Sequence, residues 1–179
     1  MDFLPQTAAP VLLTGPRLVA PHISRLRLMH FRSHACVDIN VDCDAVILTG
    51  PNGAGKTNIL EAISMLAPGR GLRSAQLNDM AATHADAGWT VLADITTATA
   101  PMRIGVGFEP GGTGRELRVD GAPARGFEKI SMALPQLWLT PVMDRLFTDS
   151  AGGRRRFIDR FAQTLVPGLS TQLLSLIHI

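Results

Sequence analysis

The sequence predicts an α/β fold with a mixed sheet, and three observations support this prediction. A short apolar run at 45–48 leads into a glycine-rich turn, and a helical pattern follows at 58–66. Segments at 89–96 and 102–108 alternate apolar and polar side chains, which is typical of half-buried strands. A chain of 179 residues with 46% hydrophobic side chains is long enough to bury a core of this kind.

The segments on either side of the turn follow the order strand, turn, helix. The apolar run at 45–48 is expected to form a strand that is buried on both faces. In the helix at 58–66, Ile59, Ile63 and Leu66 fall on one face, and the Pro-Gly pair that follows ends the helix. The turn is therefore expected between a strand and a helix N-terminus.

The turn matches the phosphate-binding pattern G-x-x-x-x-G-K-[ST] at every fixed position. Glycine at positions 50, 53 and 55 lets the backbone bend tightly and point successive N–H groups at one phosphate, and the helix N-terminus adds positive potential. This pattern predicts that the chain binds a nucleoside triphosphate. The candidate nucleotide-binding residues are Gly50, Pro51, Asn52, Gly53, Ala54, Gly55, Lys56, Thr57 and Asn58.

Two side chains of the turn carry the expected chemistry. The Lys56 ammonium is expected to reach the β and γ phosphates as a point charge. The Thr57 hydroxyl is the candidate ligand for the Mg²⁺ that bridges those phosphates. No other metal site is predicted, because the histidines and cysteines do not occur at metal-ligand spacing.

The remaining elements follow from periodicity and turn residues. The predicted strands in chain order are 23–31, 37–41, 45–48, 89–96, 102–108, 116–119 and 135–140, with a hairpin at the start and an antiparallel meander after the first helix. The predicted helices in chain order are 58–66, 77–83, 127–134 and one that is capped by Asp149 or Ser150 and runs to Leu165.

Composition excludes several classes of protein. No run of about 18 apolar residues occurs, so no membrane span is expected. The first 21 residues lack the basic start and long apolar centre of a signal peptide, and we expect a mobile tail there. Cys36 and Cys43 form no C-x-x-C pair and are expected to be reduced thiols of a cytoplasmic protein.

A net charge of +2 does not by itself indicate a nucleic-acid partner, but the arginines are clustered. Arg70 and Arg73 follow the first helix, and Arg154, Arg155 and Arg156 form the densest basic run. These residues are candidates for contact with DNA or with a partner protein. A solvent-exposed loop and an ordinary amphipathic helix remain open as alternatives.

Four motifs together resemble the RecF family, whose relatives include Rad50 and the SMC proteins. They are H-F-R-S-H at 30–34, G-P-N-G-A-G-K-T-N-I-L-E-A-I at 50–63, G-R-G-L-R at 69–73 and G-R-R-R-F-I-D-R at 153–160. The resemblance implies a P-loop head of the ABC/SMC type that binds ATP with Mg²⁺, dimerises around two ATP molecules and hydrolyses ATP slowly. It also implies that Arg32 and Ser33 contact the nucleotide, with an ordinary hairpin arginine at position 32 left open as the alternative.

The resemblance also implies binding partners, a cellular process and a location for this chain. The resemblance implies contact with DNA at gaps and at single-stranded/double-stranded junctions, together with other recombination mediator proteins. It implies action in DNA repair, replication restart and the SOS response, in the cytoplasm.

The expected organisation has three parts: a tail at 1–21, the amino-terminal part of the ATP-binding head at 22–145 and the start of a helical lobe at 146–179. The family's Walker B and signature motifs are not found in the sequence, so the head is expected to be incomplete and unable to hydrolyse ATP alone. No catalytic residue is assigned. Residues 175–179 depart from the family and are expected to be foreign.

Two other functions remain open. The chain could be a DNA-binding or assembly module that uses the nucleotide as a structural ligand and has no ATPase activity. A P-loop GTPase is weakly indicated by a D-x-x-G match at 149–152, but no N-K-x-D sequence follows it to read the base.

Overall fold

The computed structural model describes residues 11–13, 20–82, 87–141, 143 and 151–166. Its strands in chain order are β1 (Val11–Leu13), β2 (His22–Phe31), β3 (His34–Asn40), β4 (Ala45–Ile47), β5 (Trp89–Thr96), β6 (Met102–Phe108), β7 (Glu116–Val119) and β8 (Ala122–Pro123). Its helices are α1 (Lys56–Ser64), α2 (Glu128–Ala133) and α3 (Ala151–Leu165), with a 3₁₀ turn at Asn78–Met80. Six strands form an antiparallel sheet in the order β3-β2-β5-β6-β7-β8, and β1 pairs separately with β4.

The six-stranded sheet forms because its strands alternate apolar and polar side chains. In β5 every second residue from Trp89 to Ile95 is buried. Leu26 of β2 and Ile104 of β6 lie opposite Ala93 of β5, so apolar side chains form rows across the sheet. The inner side chains of α1 belong to the same buried cluster, which fixes the helix against this face of the sheet.

The opposite face of the sheet carries arginine–carboxylate pairs between neighbouring strands. Arg25 binds Asp38 through both carboxylate oxygens, with Nε 2.8 Å from Oδ1. Arg103 binds Asp94 in the same way, and Arg27 lies 3.7 Å from Asp94. Hydrogen bonds from Arg103, with the positive charges of the neighbouring arginines, hold the pKa of the Asp94 carboxyl below its usual value.

The predicted hairpin and meander are confirmed. β2 pairs with β3 as the hairpin, and β5, β6 and β7 follow one another in the sheet. The helices predicted at 127–134 and towards Leu165 are also present as α2 and α3. The helix predicted at 77–83 is shorter than expected, because within the described residues 77–82 only Asn78–Met80 forms a 3₁₀ turn, and residue 83 lies outside the described residues. Residues 149 and 150, the predicted helix caps, lie outside the described residues.

The prediction that strand 45–48 is buried on both faces is wrong. In the part of the chain that the structure describes, β4 pairs with β1 alone, and Val46 and Ile47 are 38% and 44% exposed. An apolar strand becomes buried only when other strands and helices cover it, and this chain places none of its described elements there. Val11–Leu13 pairs with β4 where the sequence predicts a mobile tail.

The strand predicted at 135–140 is also wrong, because these residues form no strand. Leu139 is 73% exposed, whereas a strand packed against the core would bury one of its faces. Instead, the guanidinium carbon of Arg160 lies over the indole of Trp138, 4.4 Å from the ring centroid, and this contact joins the segment to α3. The alternation of side chains is present, but none of the strands that the structure describes pairs with this segment.

Candidate nucleotide-binding site

The loop at 50–55 has the backbone conformation that its glycines allow. Gly50, Gly53 and Gly55 have φ values of 141°, 85° and 87°, a region that other residues rarely adopt. Gly55 is the N-cap of α1, and its carbonyl accepts hydrogen bonds from the N–H groups of Asn58 and Ile59 at 2.9 and 3.1 Å. The loop therefore runs directly into the helix N-terminus, where positive potential favours a bound anion.

The Lys56 side chain crosses the loop. Its ammonium donates hydrogen bonds to the carbonyls of Gly50 and Pro51, both at 2.7 Å. These bonds place a positive charge at the centre of the loop. Thr57 follows in the first turn of α1 and is exposed, so its hydroxyl is available to a ligand.

Three consecutive side chains, two from the turn between β2 and β3 and one from the first residue of β3, fasten this hairpin to the start of α1. Nε2 of His34 lies 3.2 Å from the carbonyl oxygen of Gly55, and Oγ of Ser33 accepts a hydrogen bond from Nδ2 of Asn58 at 2.9 Å. Arg32 binds both carboxylate oxygens of Glu61, at 3.0 and 2.8 Å.

The three positions that receive these contacts are the N-cap Gly55 and residues 58 and 61 of α1, and their spacing of three residues places them along one side of the helix. The turn thus sets the orientation of α1 relative to the sheet.

Glu61 is a fully buried carboxylate that two arginines share. Its exposed fraction is 0%, and its ion pairs are with Arg32 at 2.8 Å and Arg73 at 3.1 Å. Arg32 also donates to the carbonyl of Asp79, and Arg73 also donates to Oδ1 of Asn58 at 3.1 Å. A buried charge needs such partners, since an unpaired carboxylate in the core would be strongly destabilising.

The carboxyl end of α1 is held by another arginine. Arg115 donates to the carbonyls of Met65, Ala67 and Gly69, at 2.8, 3.1 and 2.7 Å. Its guanidinium also lies 4.3 Å from the ring centroid of Phe127. Burial lowers the pKa of the Arg115 guanidinium, yet an arginine keeps its proton, and the cation suits the negative end of a helix.

The structure brings some predicted residues together and leaves others apart. Arg32, Ser33 and Asn58 meet at the first turns of α1, where Arg73 joins them. The side chain of Arg70 is exposed and lines an open groove of about 430 Å³. The basic run lies on α3, where Arg154 is partly buried and Arg155 is exposed, and Arg156 belongs to the same helix.

Sequence reasoning missed the parts played by His34, Glu61 and Arg115. Glu61 follows Gly55 and Asn58 at helical spacing, which could have indicated a shared face. No such spacing marks the other two, because His34 and Arg115 contact backbone carbonyls just before and just after α1 that lie far from them in the chain.

Known proteins resemble this chain in sequence. A family model described as an AAA domain matches residues 25–85. The DNA replication and repair protein RecF of Agrobacterium fabrum is 46% identical over 149 residues, which cover 82% of this chain and 40% of that protein. RecF of Mesorhizobium japonicum is also 46% identical over 149 residues, covering 82% of this chain and 39% of the relative. The chain belongs to the RecF family. It spans about 40% of the length of these relatives.

Solved structures show the same fold. The structure of the recombination mediator protein RecF with ATP aligns with 87% of this chain, and the aligned part is 43% of the RecF chain. The TM-score is 0.69 and the sequence identity is 18%. The structure of the same mediator with ATPrS also aligns with 87% of this chain, and the aligned part is 42% of the RecF chain. The TM-score is 0.72 and the sequence identity is 17%. The fold is therefore that of a RecF-type P-loop head of the ABC/SMC class, of which this chain carries a part.

No helix in the described part of the chain is long and apolar enough to cross a membrane.

Proposed function

We propose that the chain binds ATP with Mg²⁺ at residues 50–57, as part of a RecF-type head that acts on DNA in replication and repair. The observation that carries this proposal is the loop itself, in which glycines of positive φ lead into the N-terminus of α1 and Lys56 crosses the centre. Donors arranged in this way suit the oxygens of a polyphosphate. The role in replication and repair is supported by the RecF relatives, and ATP binding is supported by a solved structure of RecF with ATP.

Each residue of the loop has a separate task in this proposal. The backbone N–H groups at the start of α1 hold the β phosphate, and the Lys56 ammonium moves from the loop carbonyls to the β and γ phosphates. The Thr57 hydroxyl holds Mg²⁺, which when bound neutralises charge on those phosphates. Arg32 uses three N–H groups on Glu61 and Asp79, which leaves two of its five for the nucleotide. Ser33 is proposed to contact the nucleotide from the same turn.

We propose that the chain binds ATP with little or no turnover. Attack on the γ phosphate needs a residue that positions water and a carboxylate near the metal. The sequence offers no candidate for either group. A nucleotide-dependent binding module remains the second candidate function, and measuring phosphate release separates it from a slow ATPase.

The proposed DNA contacts involve Arg70, Arg73 and the run Arg154, Arg155 and Arg156. Such contacts would be made mainly to phosphates, so binding would be strongly salt-dependent and weakly selective for sequence. An ATP-dependent homodimer, gapped DNA, other mediator proteins, the SOS response and a cytoplasmic location belong to the same proposal and rest on the family resemblance.

Calorimetry with ATP and Mg²⁺ tests the proposal. K56A should abolish saturable binding, because the variant loses the one ammonium at the centre of the loop. K129A is the matched control, since Lys129 is exposed on α2 and should leave the affinity unchanged. Circular dichroism should show that both variants are folded. Retained ATP affinity in folded K56A would contradict the assigned site.

A further inference from the structure

Glu61 is close to the phosphate-binding loop but too far along α1 to touch a phosphate. It lies five positions after Lys56, and a rise of 1.5 Å per residue places it about 8 Å along the helix. The side chain is fully buried. Any influence on a bound nucleotide must therefore pass through the groups that the carboxylate holds.

The cluster formed by the Glu61 carboxylate and the arginines that it binds carries an excess of positive charge. One carboxylate faces two guanidinium groups, those of Arg32 and Arg73, whose side chains are 19% and 43% exposed. A single arginine would be enough to pair a buried carboxylate. The second arginine makes the cluster cationic, and its exposure leaves N–H groups within reach of an anionic ligand.

The cluster closes a ring of contacts around the first turns of α1. Arg73 joins Glu61 to Oδ1 of Asn58, and Nδ2 of Asn58 donates to Ser33, the neighbour of Arg32. The ring joins three segments that are separate in the sequence: the β2–β3 turn, the start of α1 and the basic segment 69–73. Neutralising Glu61 removes the anion that both arginines share.

We propose that Glu61 is a positioning residue of the nucleotide site, which holds Arg32 and Arg73 as a pair of cations beside the loop in the arrangement that ATP requires. This inference rests on the proposed ATP function. Arg73 acts through Glu61 and Asn58, so the effect of replacing Arg73 depends on whether the Glu61 carboxylate is present.

A double-mutant cycle on ATP affinity tests the inference. E61Q keeps the size of the side chain and removes its charge, and it should raise the Kd for ATP about tenfold. R73Q should raise the Kd about threefold with little change in Tm, because the Arg73 side chain is 43% exposed. E61Q/R73Q should bind ATP like E61Q alone, since Arg73 is already misplaced once the carboxylate is lost. E116Q, at an exposed position on β7, is the matched control and should match the parent.

The possible outcomes separate a positioning role from a structural one. A structural role alone would lower Tm in E61Q and R73Q while folded samples kept the parental Kd, and that result would overturn the inference. Additive effects in the double variant would overturn it as well. If E61Q does not fold, a parental Kd in R73Q decides against the proposal. If the parent and E116Q show no saturable ATP binding, the proposed function itself fails and the inference fails with it.

Discussion

At the residue scale, the glycines of the loop are needed for different reasons. Gly53 and Gly55 have nearly the same φ, 85° and 87°, so an L side chain would be strained at either position. Their surroundings differ. Nothing lies within 4 Å of a Cβ added at Gly53, whereas a Cβ added at Gly55 would clash with Nε2 of His34.

This difference predicts unequal effects of the same substitution. G53A should lower the free energy of unfolding by about 1 kcal/mol, the effect of backbone conformation alone. G55A should lower it by about 2 kcal/mol or more, because the imidazole must also move and lose its contact with the Gly55 carbonyl. Urea unfolding measures both values. Equal losses in the two variants would show that His34 does not restrain the loop.

At the element scale, β4 differs from the inner strands of the six-stranded sheet because its apolar side chains are not covered. Each inner strand of the six-stranded sheet has a neighbour on both edges and packs against the core. β4 hydrogen-bonds with β1, and no described element covers Val46 and Ile47. The strand that leads into the phosphate-binding loop therefore gains little stability from burial.

The same substitution should destabilise the protein more at the buried Ile104 than at the half-exposed Ile47. I104T should lower the free energy of unfolding by about 3 kcal/mol, because Ile104 is 0% exposed and its replacement buries a hydroxyl in an apolar core. I47T should lower it by less than about 1 kcal/mol, since Ile47 is 44% exposed. Chemical denaturation of the two variants checks this. A loss in I47T as large as that in I104T would mean that β4 is covered in solution.

At the scale of the whole molecule, stability should depend on acid through the charged face of the sheet. The pKa of Asp94 is lower in the folded protein than in an unfolded chain, because Arg103 hydrogen-bonds to the carboxylate. The pairing therefore stabilises the fold above the unfolded pKa, near 3.9, and the contribution is lost as pH falls through the lower folded value.

Replacing Asp94 should remove part of the dependence of folding stability on pH. D94N should be less stable than the parent at neutral pH by about 0.5 to 1 kcal/mol, and the gap should narrow as the pH approaches 3. Urea unfolding across pH 3 to 7 measures the gap. D44N, at an exposed position in the turn before β4, is the control and should follow the parent curve. A gap that stayed constant with pH would rule out the Asp94 carboxylate as its source.

Local patterns in the sequence determined much of this protein. The phosphate-binding loop, α1, the hairpin and the meander depend on glycine positions, helical spacing and alternation, which act between near neighbours and can be read from the chain. The RecF resemblance extended that reading to Arg32, Ser33 and the basic segments, whose contacts with nucleotide or DNA stay proposals.

Only the tertiary structure decided what covers each element and which charges meet. The apolar run of β4 predicted a buried strand and the alternation at 135–140 predicted a strand, but burial and strand pairing depend on neighbours that no local pattern specifies. The pairing of Glu61 with Arg32 and Arg73, and the contact of His34 with Gly55, join residues distant in sequence. Such contacts form only once the sheet has brought the β2–β3 turn against α1, because a buried charge is stable only where folding supplies its partners.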